Sequence, residues 1–210
     1  MVDGQLQPHG VTNETLIGAM SRVPREKFLP PRLQGLSYVD DDIALGNGRY
    51  MPEPRILGRL LQAAAVRETD VVLDIGCGTG YSSAVLGCMA KNVFGIERDK
   101  DMVMEGVQLL DRLGIDKAAL IHQGDLHQGY AKKSPYDVIL INGAVAEVPE
   151  KIKHQLADGG RLVTVISRHG YAGAAILISR YGDHFSTRNL FDAATPVLPG
   201  FDEKKGFVFQ

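Results

Sequence analysis

The sequence predicts a doubly wound α/β fold built on a seven-stranded, mainly parallel sheet. The stretch 71–81 (VVLDIGCGTGY) passes from an apolar, β-branched run through three glycines into a segment long enough for a helix, which is typical of a buried parallel strand followed by a tight turn. Four more apolar runs alternate with helical patterns up to residue 166, as a parallel sheet requires. Two strand-like segments around Gly182 then predict a closing antiparallel pair.

The helices of this core are indicated by apolar spacing and by stop signals. Residues 99–113 carry apolar side chains on roughly one face, and Gly114 ends the segment. Residues 148–156 predict a shorter helix, which the glycines that follow it terminate. The first strand opens at Val71, the other strands are expected at 91–96, 118–122, 136–141, 161–166, 172–179 and 186–194, and the tail ends in Phe207 and Phe209, which are expected to pack on the sheet.

Residues 1–65 are expected to form an N-terminal helical extension and a substrate loop, attached to a cofactor-binding core at 66–210 within a single domain. The polar start, with Pro8 and Gly10, predicts an irregular or frayed segment. A helix is predicted to begin at an N-cap on Thr12. The elements expected after it are a connector at 24–31, a short strand or extended arm at 38–45, a loop at 46–54 and a helix over 56–64.

Size and composition are those of an ordinary globular protein. The 210 residues are 44% apolar and 23% charged, and the net charge of −2 offers no broad attraction for nucleic acid. No apolar run approaches the ~20 residues of a membrane helix, and the N-terminus lacks the order of a signal peptide. Cys77 and Cys88 have no metal-ligand spacing and are expected as reduced thiols. We therefore expect a cytoplasmic protein with no metal, nucleic-acid or membrane partner.

The glycine turn at 76–80 has the composition of a nucleotide-binding turn, because missing β-carbons let a ligand approach the backbone. A dinucleotide fingerprint needs a third glycine where this chain has Tyr81. Asp74 would repel a pyrophosphate, whereas a carboxylate suits the amino group of S-adenosylmethionine. The pattern D-x-G-x-G-x-G resembles motif I of the Rossmann-like methyltransferases that use this cofactor. A tight turn without a ligand is the alternative.

Polar residues follow the other predicted strands, where ligands of such sheets bind. Glu97 closes the second strand, and its carboxylate can accept both ribose hydroxyls; a solvated acid is the alternative. Asp125 follows the third strand and can accept from the adenine amino group, with the backbone of Leu126 at the ring edge, or it can be a turn residue. Asn142 and Gly143 end the fourth strand, beside the expected position of the donor methyl.

Longer segments resemble the protein-L-isoaspartate O-methyltransferase family over about residues 11–209. The segments that carry the resemblance include 20–28 (MSRVPREKF), 148–149 (VP) and 155–162 (QLADGGRL), together with the glycine turn. The resemblance implies a Rossmann-like fold, S-adenosylmethionine as cofactor, and methyl transfer to a carboxylate, of the isoaspartyl type, in a damaged protein or peptide. The cofactor-binding residues it implies are Asp74, Gly76, Cys77, Gly78, Glu97, Arg98, Gly124, Asp125, Leu126, Asn142 and Gly143.

One loop departs from the family pattern Gln-Thr-Ile-Ser-x-Pro. Alignment on Pro54 places Pro52 opposite the family serine, and proline has neither a hydroxyl nor a backbone N–H. No catalytic residue is therefore assigned. We hypothesise that Arg49 or Arg55 binds the substrate carboxylate, because a guanidinium pairs with it in bidentate fashion; a solvent-facing arginine is the alternative. The residues expected in the substrate loop are Arg49, Tyr50, Met51, Pro52 and Arg55.

Several functions stay compatible with these residues. The leading prediction is methyl transfer to a carboxylate, which is already ionised at neutral pH, so that alignment supplies most of the rate. A methyltransferase acting on a different carboxylate and a non-catalytic S-adenosylmethionine sensor or adaptor are the alternatives. A nicotinamide dehydrogenase is disfavoured by Tyr81 and Asp74.

Overall fold

The computed structural model describes residues 1–167 and 173–202 of the chain. The residues at 172 and 207–209, which belong to predicted strand and tail segments, lie outside the described residues. The helices are α1 (Glu14–Arg22), α2 (Pro54–Ala64), α3 (Tyr81–Gly87), α4 (Lys100–Arg112) and α5 (Glu150–Lys153). The strands are β1 (Ile43–Gly46), β2 (Arg49–Met51), β3 (Val71–Ile75), β4 (Asn92–Glu97), β5 (Ala119–Gln123), β6 (Tyr136–Val145), β7 (Leu156–Ile166), β8 (Ala174–Tyr181) and β9 (His184–Asp192).

The central sheet has seven strands in the order β5-β4-β3-β6-β7-β8-β9. The first five of these are parallel to one another, and β8 and β9 are antiparallel. β4 lies on one side of β3, and β6 lies on the other side. The strand order therefore reverses at β3, which creates a topological switch point at the carboxyl ends of these strands. The predicted fold class is confirmed.

The apolar core lies on both faces of the sheet. On β3, Val72 belongs to one cluster, with residues of α1, α2 and α3, and its neighbour Leu73 belongs to the other. This alternation follows from the two-residue period of a strand. Because both faces are covered, the strand reads as a continuous apolar run, and its one carboxylate, Asp74, is buried with it. No helix in the described ranges combines the length and the apolarity that spanning a membrane demands.

The ends of β6 and β7 differ from the prediction. β6 runs four residues past Ile141, because Ala144 and Val145 pair with the end of β7. Ala144 also donates its N–H to the carbonyl of Pro196 and accepts from the N–H of Leu198. The predicted helix at 148–156 is longer than the observed α5, which spans only Glu150–Lys153. The helix cannot include Leu156, because this residue pairs with Tyr136 as the start of β7. Pairing between distant segments therefore overrode the local helical signal.

The N-terminal predictions need two corrections. The first ten residues are not frayed: a π-helical turn (Val2–Leu6) places Leu6 in the core, against the position where Gly58 lacks a β-carbon. The N-cap of α1 is Asn13 rather than Thr12, because the Asn13 Oδ1 atom accepts from the N–H of Leu16 at 2.9 Å.

The predicted loop at 46–54 contains a strand. β1 and β2 form an antiparallel hairpin joined by Asn47 and Gly48, which have φ values of 52° and 70°. Positive φ at both positions is the geometry of a type I′ turn, whose twist matches that of the two strands. This hairpin forms a sheet of its own, apart from the central sheet.

We predict that Gly80→Ala destabilises the protein by about 2–4 kcal/mol, the combined cost of a left-handed conformation and overpacking. Gly80 has φ 95°, and an added β-carbon would lie 2.6 Å from the Ile121 Cδ1 atom. Gly114→Ala is the matched control, because Gly114 has φ 68° with no atom within 4 Å of the added carbon. Urea denaturation measures both free energies of unfolding. Equal losses for the two variants would contradict the packing argument.

Candidate functional site

The candidate site lies at the carboxyl ends of β3, β4 and β6, where the strand order switches. The structure brings together most of the residues that the sequence predicted. Their polar contacts join the glycine turn, the end of β4 and the β1–β2 hairpin into one buried cluster. We call this cluster the strand-end site; its residues are Arg49, Asp74, Gly76, Gly78, Ser82, Glu97, Asn142 and Gly143.

Asp74 is fully buried, and one of its oxygens is engaged. Its Oδ2 atom accepts hydrogen bonds from the hydroxyls of Ser82 and Ser83, at 2.6 and 2.7 Å. Its Oδ1 atom has no hydrogen-bond partner within the described part of the chain. Burial raises the pKa of the Asp74 carboxyl to about 6, against the lowering effect of the two serine hydroxyls and of Arg49. A buried acceptor without a donor suits a cationic or N–H-bearing ligand group.

The first turn of α3 holds this carboxylate in place. Asn142 donates from its Nδ2 atom to the Ser82 hydroxyl at 2.9 Å, and that hydroxyl in turn donates to Asp74. The end of β6 is therefore coupled to the end of β3 through a side chain that the sequence suggested only as a first-turn helix residue. Asn142 is linked to the Asp74 carboxylate through Ser82 rather than by a direct hydrogen bond.

Glu97 is fully buried and accepts four hydrogen bonds. Its Oε1 atom accepts from the backbone N–H groups of Arg98 and Asp99, at 2.7 and 3.2 Å. Its Oε2 atom accepts from the backbone N–H of Gly78 at 2.9 Å and from the Nε atom of Arg49 at 3.0 Å. The alternative of a solvated acid at the strand end is therefore wrong, because the carboxylate is enclosed by donors.

Arg49 is 2% exposed and forms a buried ion pair with Glu97. Its Nη2 atom also donates to the carbonyl of Gly76. A β-carbon at Gly76 would lie 2.9 Å from that Nη2 atom, so the guanidinium fills the space in front of the glycine turn. The alternative of a solvent-facing arginine is wrong for this residue.

The three glycines of the turn have different neighbours. Gly76 faces Arg49 and Leu198, and Gly78 faces Leu45 of the hairpin. Gly80 faces Ile121 of β5 instead, so its lack of a β-carbon serves packing between α3 and the sheet. Cys77 between them is buried, and burial raises the pKa of its thiol well above the ordinary value, which keeps it protonated and unreactive.

The residues predicted to contact adenine lie beside an open cavity of about 280 Å³, lined by Arg98, Asp125, Leu126, His127, Pro199 and Gly200. Asp125 is exposed and caps the short 3₁₀ helix Leu126–Gln128 by accepting the N–H of His127 at 2.9 Å. Leu126 is buried, and Gly124 donates its N–H to the carbonyl of Glu97. Asp125 thus has the role of a turn residue that the sequence allowed as an alternative.

Sequence reasoning missed the segment 196–201, which covers the strand-end site. Leu198 is 1% exposed, and its side chain would lie 3.2 Å from a β-carbon at Gly76 and 2.7 Å from one at Gly143. The ring of Phe201 stacks on His127 at 3.9 Å between centroids, and the carbonyl of Gly200 bonds the His127 ring. A run of apolar residues and prolines after the last strand was the available signal, but it does not indicate where the segment packs.

The predicted substrate loop is largely buried. Pro52 and Met51 are buried, Tyr50 is half-buried, and the side chain of Arg55 is 38% exposed and paired with Glu53 at 2.7 Å. The carbonyl of Pro52 accepts from Arg25 at 2.7 Å, and Arg25 is itself fully buried beneath the loop. Arg49 and Arg55 therefore each have a carboxylate partner within the chain.

No group of three or more His, Cys, Asp or Glu side chains that could hold a metal ion occurs in residues 1–167 and 173–202. The side chains of the strand-end site supply two carboxylates, one guanidinium, one amide and one hydroxyl. Such a set binds organic groups that present N–H, O–H or charge.

Comparison with known sequences identifies the family of this chain. The family model described as Protein-L-isoaspartate(D-aspartate) O-methyltransferase matches residues 2–192. A protein-L-isoaspartate O-methyltransferase of Koribacter versatilis is 39% identical over 78% of this chain and 73% of its own length. One of Methylorubrum populi is 34% identical over 95% of this chain and 94% of its own length. The family resemblance carried by the motifs is confirmed, and with it the enzyme class and the S-adenosylmethionine cofactor.

Comparison with solved structures agrees on the fold. A protein-L-isoaspartate O-methyltransferase superposes with a TM-score of 0.81 at 26% identity, covering 93% of this chain. This chain spans 64% of the length of that solved protein. A Plasmodium falciparum protein, solved in complex with S-adenosyl-L-homocysteine, gives a TM-score of 0.78 at 21% identity and covers 92% of this chain. The second match shows the shared fold.

We predict that Asp74 makes the protein less stable as the pH rises from 4 to 7. The pKa of its carboxyl is about 6 in the folded chain and near 3.8 when unfolded, so the folded state binds the proton more tightly in this interval. A shift of roughly two pKa units corresponds to at most about 3 kcal/mol. The free energy of unfolding of the wild type, relative to Asp74→Asn, should fall by that amount. Parallel pH curves would contradict this, and Asp183→Asn at an exposed turn is the control.

Proposed function

Because this chain belongs to the protein-L-isoaspartate(D-aspartate) O-methyltransferase family, we propose that it transfers the methyl group of S-adenosylmethionine to the carboxylate of an isoaspartyl residue in a protein or peptide. The observation that carries the proposal is the family match over residues 2–192, combined with two buried carboxylates at the strand switch point. Their position at the carboxyl ends of neighbouring strands supports the proposal, because ligands of such sheets bind at these ends.

The chain's residues fit this cofactor. The Asp74 Oδ1 atom is a buried acceptor that lacks a donor within the described residues, as an amino group of the ligand requires. Glu97 is the proposed acceptor for the ribose hydroxyls. We propose that the cofactor also lies close to the backbone of Gly76, Cys77 and Gly78. The other residues proposed to line the cofactor are Arg98, Gly124, Asp125 and Leu126 at the adenosine end and Asn142 and Gly143 at the methionine end.

In the proposed mechanism the protein acts mainly by alignment and by excluding water. When bound, S-adenosylmethionine supplies a methyl group on a positively charged sulfur. The substrate carboxylate is ionised at neutral pH and needs no general base, so its correct placement decides the rate. Leu198 lies against Gly76 and Leu45 lies against Gly78, and these apolar side chains support a site closed to water.

We also propose a domain organisation and a cellular compartment for this chain. We propose that residues 1–65 provide the substrate-facing part of a single domain, since they hold the β1–β2 hairpin and the loop from 49 to 55. The free thiols of Cys77 and Cys88 support a reducing, cytoplasmic compartment.

A second candidate substrate is favoured by Pro52. Its carbonyl is engaged by Arg25, and its ring offers no donor, so position 52 contributes no hydrogen bond to a substrate. A carboxylate other than that of an isoaspartyl residue, on a small molecule or a modified peptide, is compatible with this loop. The two candidates share the cofactor and differ in the substrate.

We predict that the chain methylates an isoaspartyl peptide and leaves the matched aspartyl peptide unmodified. Asp74→Asn should lower kcat/KM by about 10–100-fold, because it removes one charge-assisted contact to the cofactor. Transfer of radiolabelled methyl groups measures both rates. Failure to label the isoaspartyl peptide, together with labelling of another carboxylate, would replace the first candidate substrate by the second.

We predict that Pro52→Ser raises kcat/KM for the isoaspartyl peptide above that of Pro52→Ala. Both variants remove the ring and restore a backbone N–H, so their difference isolates the hydroxyl. One neutral hydrogen bond corresponds to roughly 1 kcal/mol, or about fivefold in rate. Equal values for the two variants would show that a hydroxyl at this position does not align the substrate.

A further inference from the structure

The buried guanidinium of Arg49 occupies the position that the proposed function assigns to the ribose. Of the four donors on Glu97, three are backbone N–H groups of Gly78, Arg98 and Asp99, which belong to the glycine turn and the end of β4. The fourth donor is the Arg49 side chain. A ribose hydroxyl can therefore reach this carboxylate at the lowest structural cost by replacing Arg49.

Arg49 is carried by an element that has few ties to the central sheet. The β1–β2 hairpin forms a separate two-stranded sheet, and Arg49 directly follows its turn. Near the turn, Asn47 donates to the Asp99 carboxylate at 2.6 Å, and Gly48 lies against Pro199. Farther from the turn, Ile43 and Met51 are buried in the core. All of these contacts are made by side chains or by van der Waals packing, so movement of the turn away from the strand ends breaks no main-sheet ladder.

We propose that Arg49 is a latch on the strand-end site, that the cofactor displaces it from Glu97, and that the displaced guanidinium then receives the substrate carboxylate. This inference rests on the proposed function and adds an order to it: cofactor first, carboxylate second. We call Arg49 and its acceptors, Glu97 and the Gly76 carbonyl, the Arg49 latch.

Charge balance is the physical reason for the latch. Glu97 is fully buried, and a buried carboxylate that loses its cation without a replacement is strongly destabilising. Arg49 meets that requirement through its ion pair with Glu97. In the proposed complex, ribose hydroxyls donate to the same oxygen, and the ammonium group that S-adenosylmethionine and S-adenosylhomocysteine share lies near Asp74, so Glu97 no longer requires Arg49.

The same balance explains the order of binding. Before displacement, the Arg49 guanidinium is 2% exposed and directs two of its nitrogens to Glu97 and Gly76, so it is not free for a substrate. After displacement it is a cation on the proposed substrate loop with no buried acid beside it. A substrate carboxylate satisfies it in the geometry that guanidinium groups favour.

Isothermal titration calorimetry with S-adenosylhomocysteine tests the displacement on three proteins: wild type, Arg49→Gln and Arg112→Gln. Arg112 is an exposed residue of α4 that contacts Gln108, and it serves as the matched control. Removing a competitor should lower the Kd of Arg49→Gln by about tenfold, while Arg112→Gln matches the wild type. Equal or weaker binding by Arg49→Gln overturns the latch and leaves the proposed function intact. Absence of binding by all three proteins overturns the proposed function as well.

Hydrogen exchange gives a readout that does not depend on turnover. In the ligand-free protein, Arg49→Gln should speed the exchange of the hairpin amides of residues 43–51 by a larger factor than the exchange of the α4 amides, because the latch no longer holds the hairpin against the strand ends. Unchanged exchange at the hairpin overturns the latch. An increase at the hairpin no greater than the increase at α4 would show only the general destabilisation that follows when Glu97 loses its cation, and it would equally overturn the latch.

The order is tested by peptide binding. Titration of the wild type with the isoaspartyl peptide should show binding in the presence of saturating S-adenosylhomocysteine and at least tenfold weaker binding without it. The same affinity in both conditions overturns the order.

Discussion

Two fully buried carboxylates, Asp74 and Glu97, stand at the ends of neighbouring parallel strands, and the surrounding structure is arranged to satisfy them. Burying a charge is costly unless hydrogen bonds and an opposite charge compensate it. Glu97 obtains this from three backbone N–H groups and Arg49. Asp74 receives two serine hydroxyls on one oxygen and leaves the other without a donor in the described chain.

The two acids differ in whether their carboxylate oxygens are already hydrogen-bonded, and this difference bears on how a ligand can reach each of them. Glu97 is saturated, so a ligand can reach it only by exchange with a group that is already present. Asp74 retains one unused acceptor and a pKa raised to about 6 by burial, so an approaching cation is favoured there without exchange. The strand-end site therefore combines one acid that has a free acceptor atom with one acid whose acceptors are all used, one of them by Arg49.

Distant parts of the chain close the site. The β1–β2 hairpin brings Arg49 and Leu45 from before the central sheet, and the segment 196–201 brings Leu198 from after it. Leu198 hydrogen-bonds through its backbone to Ala144, in the part of β6 beyond its predicted end. Together they cover the glycine turn with apolar and cationic groups, which is consistent with a reaction that needs alignment and the exclusion of water more than acid–base chemistry.

The sequence by itself determined the order of strands and helices, the glycine turn, the acids at the strand ends and the family, because periodicity, turn residues and motifs are local signals. Only the tertiary structure decided that Arg49 pairs with Glu97, 48 positions away, and that Leu198 lies against Gly76. The same holds for Gly80, whose neighbour is Ile121 of β5 rather than a ligand. These contacts depend on how separate elements pack, and no local pattern encodes which buried charge a distant side chain will neutralise.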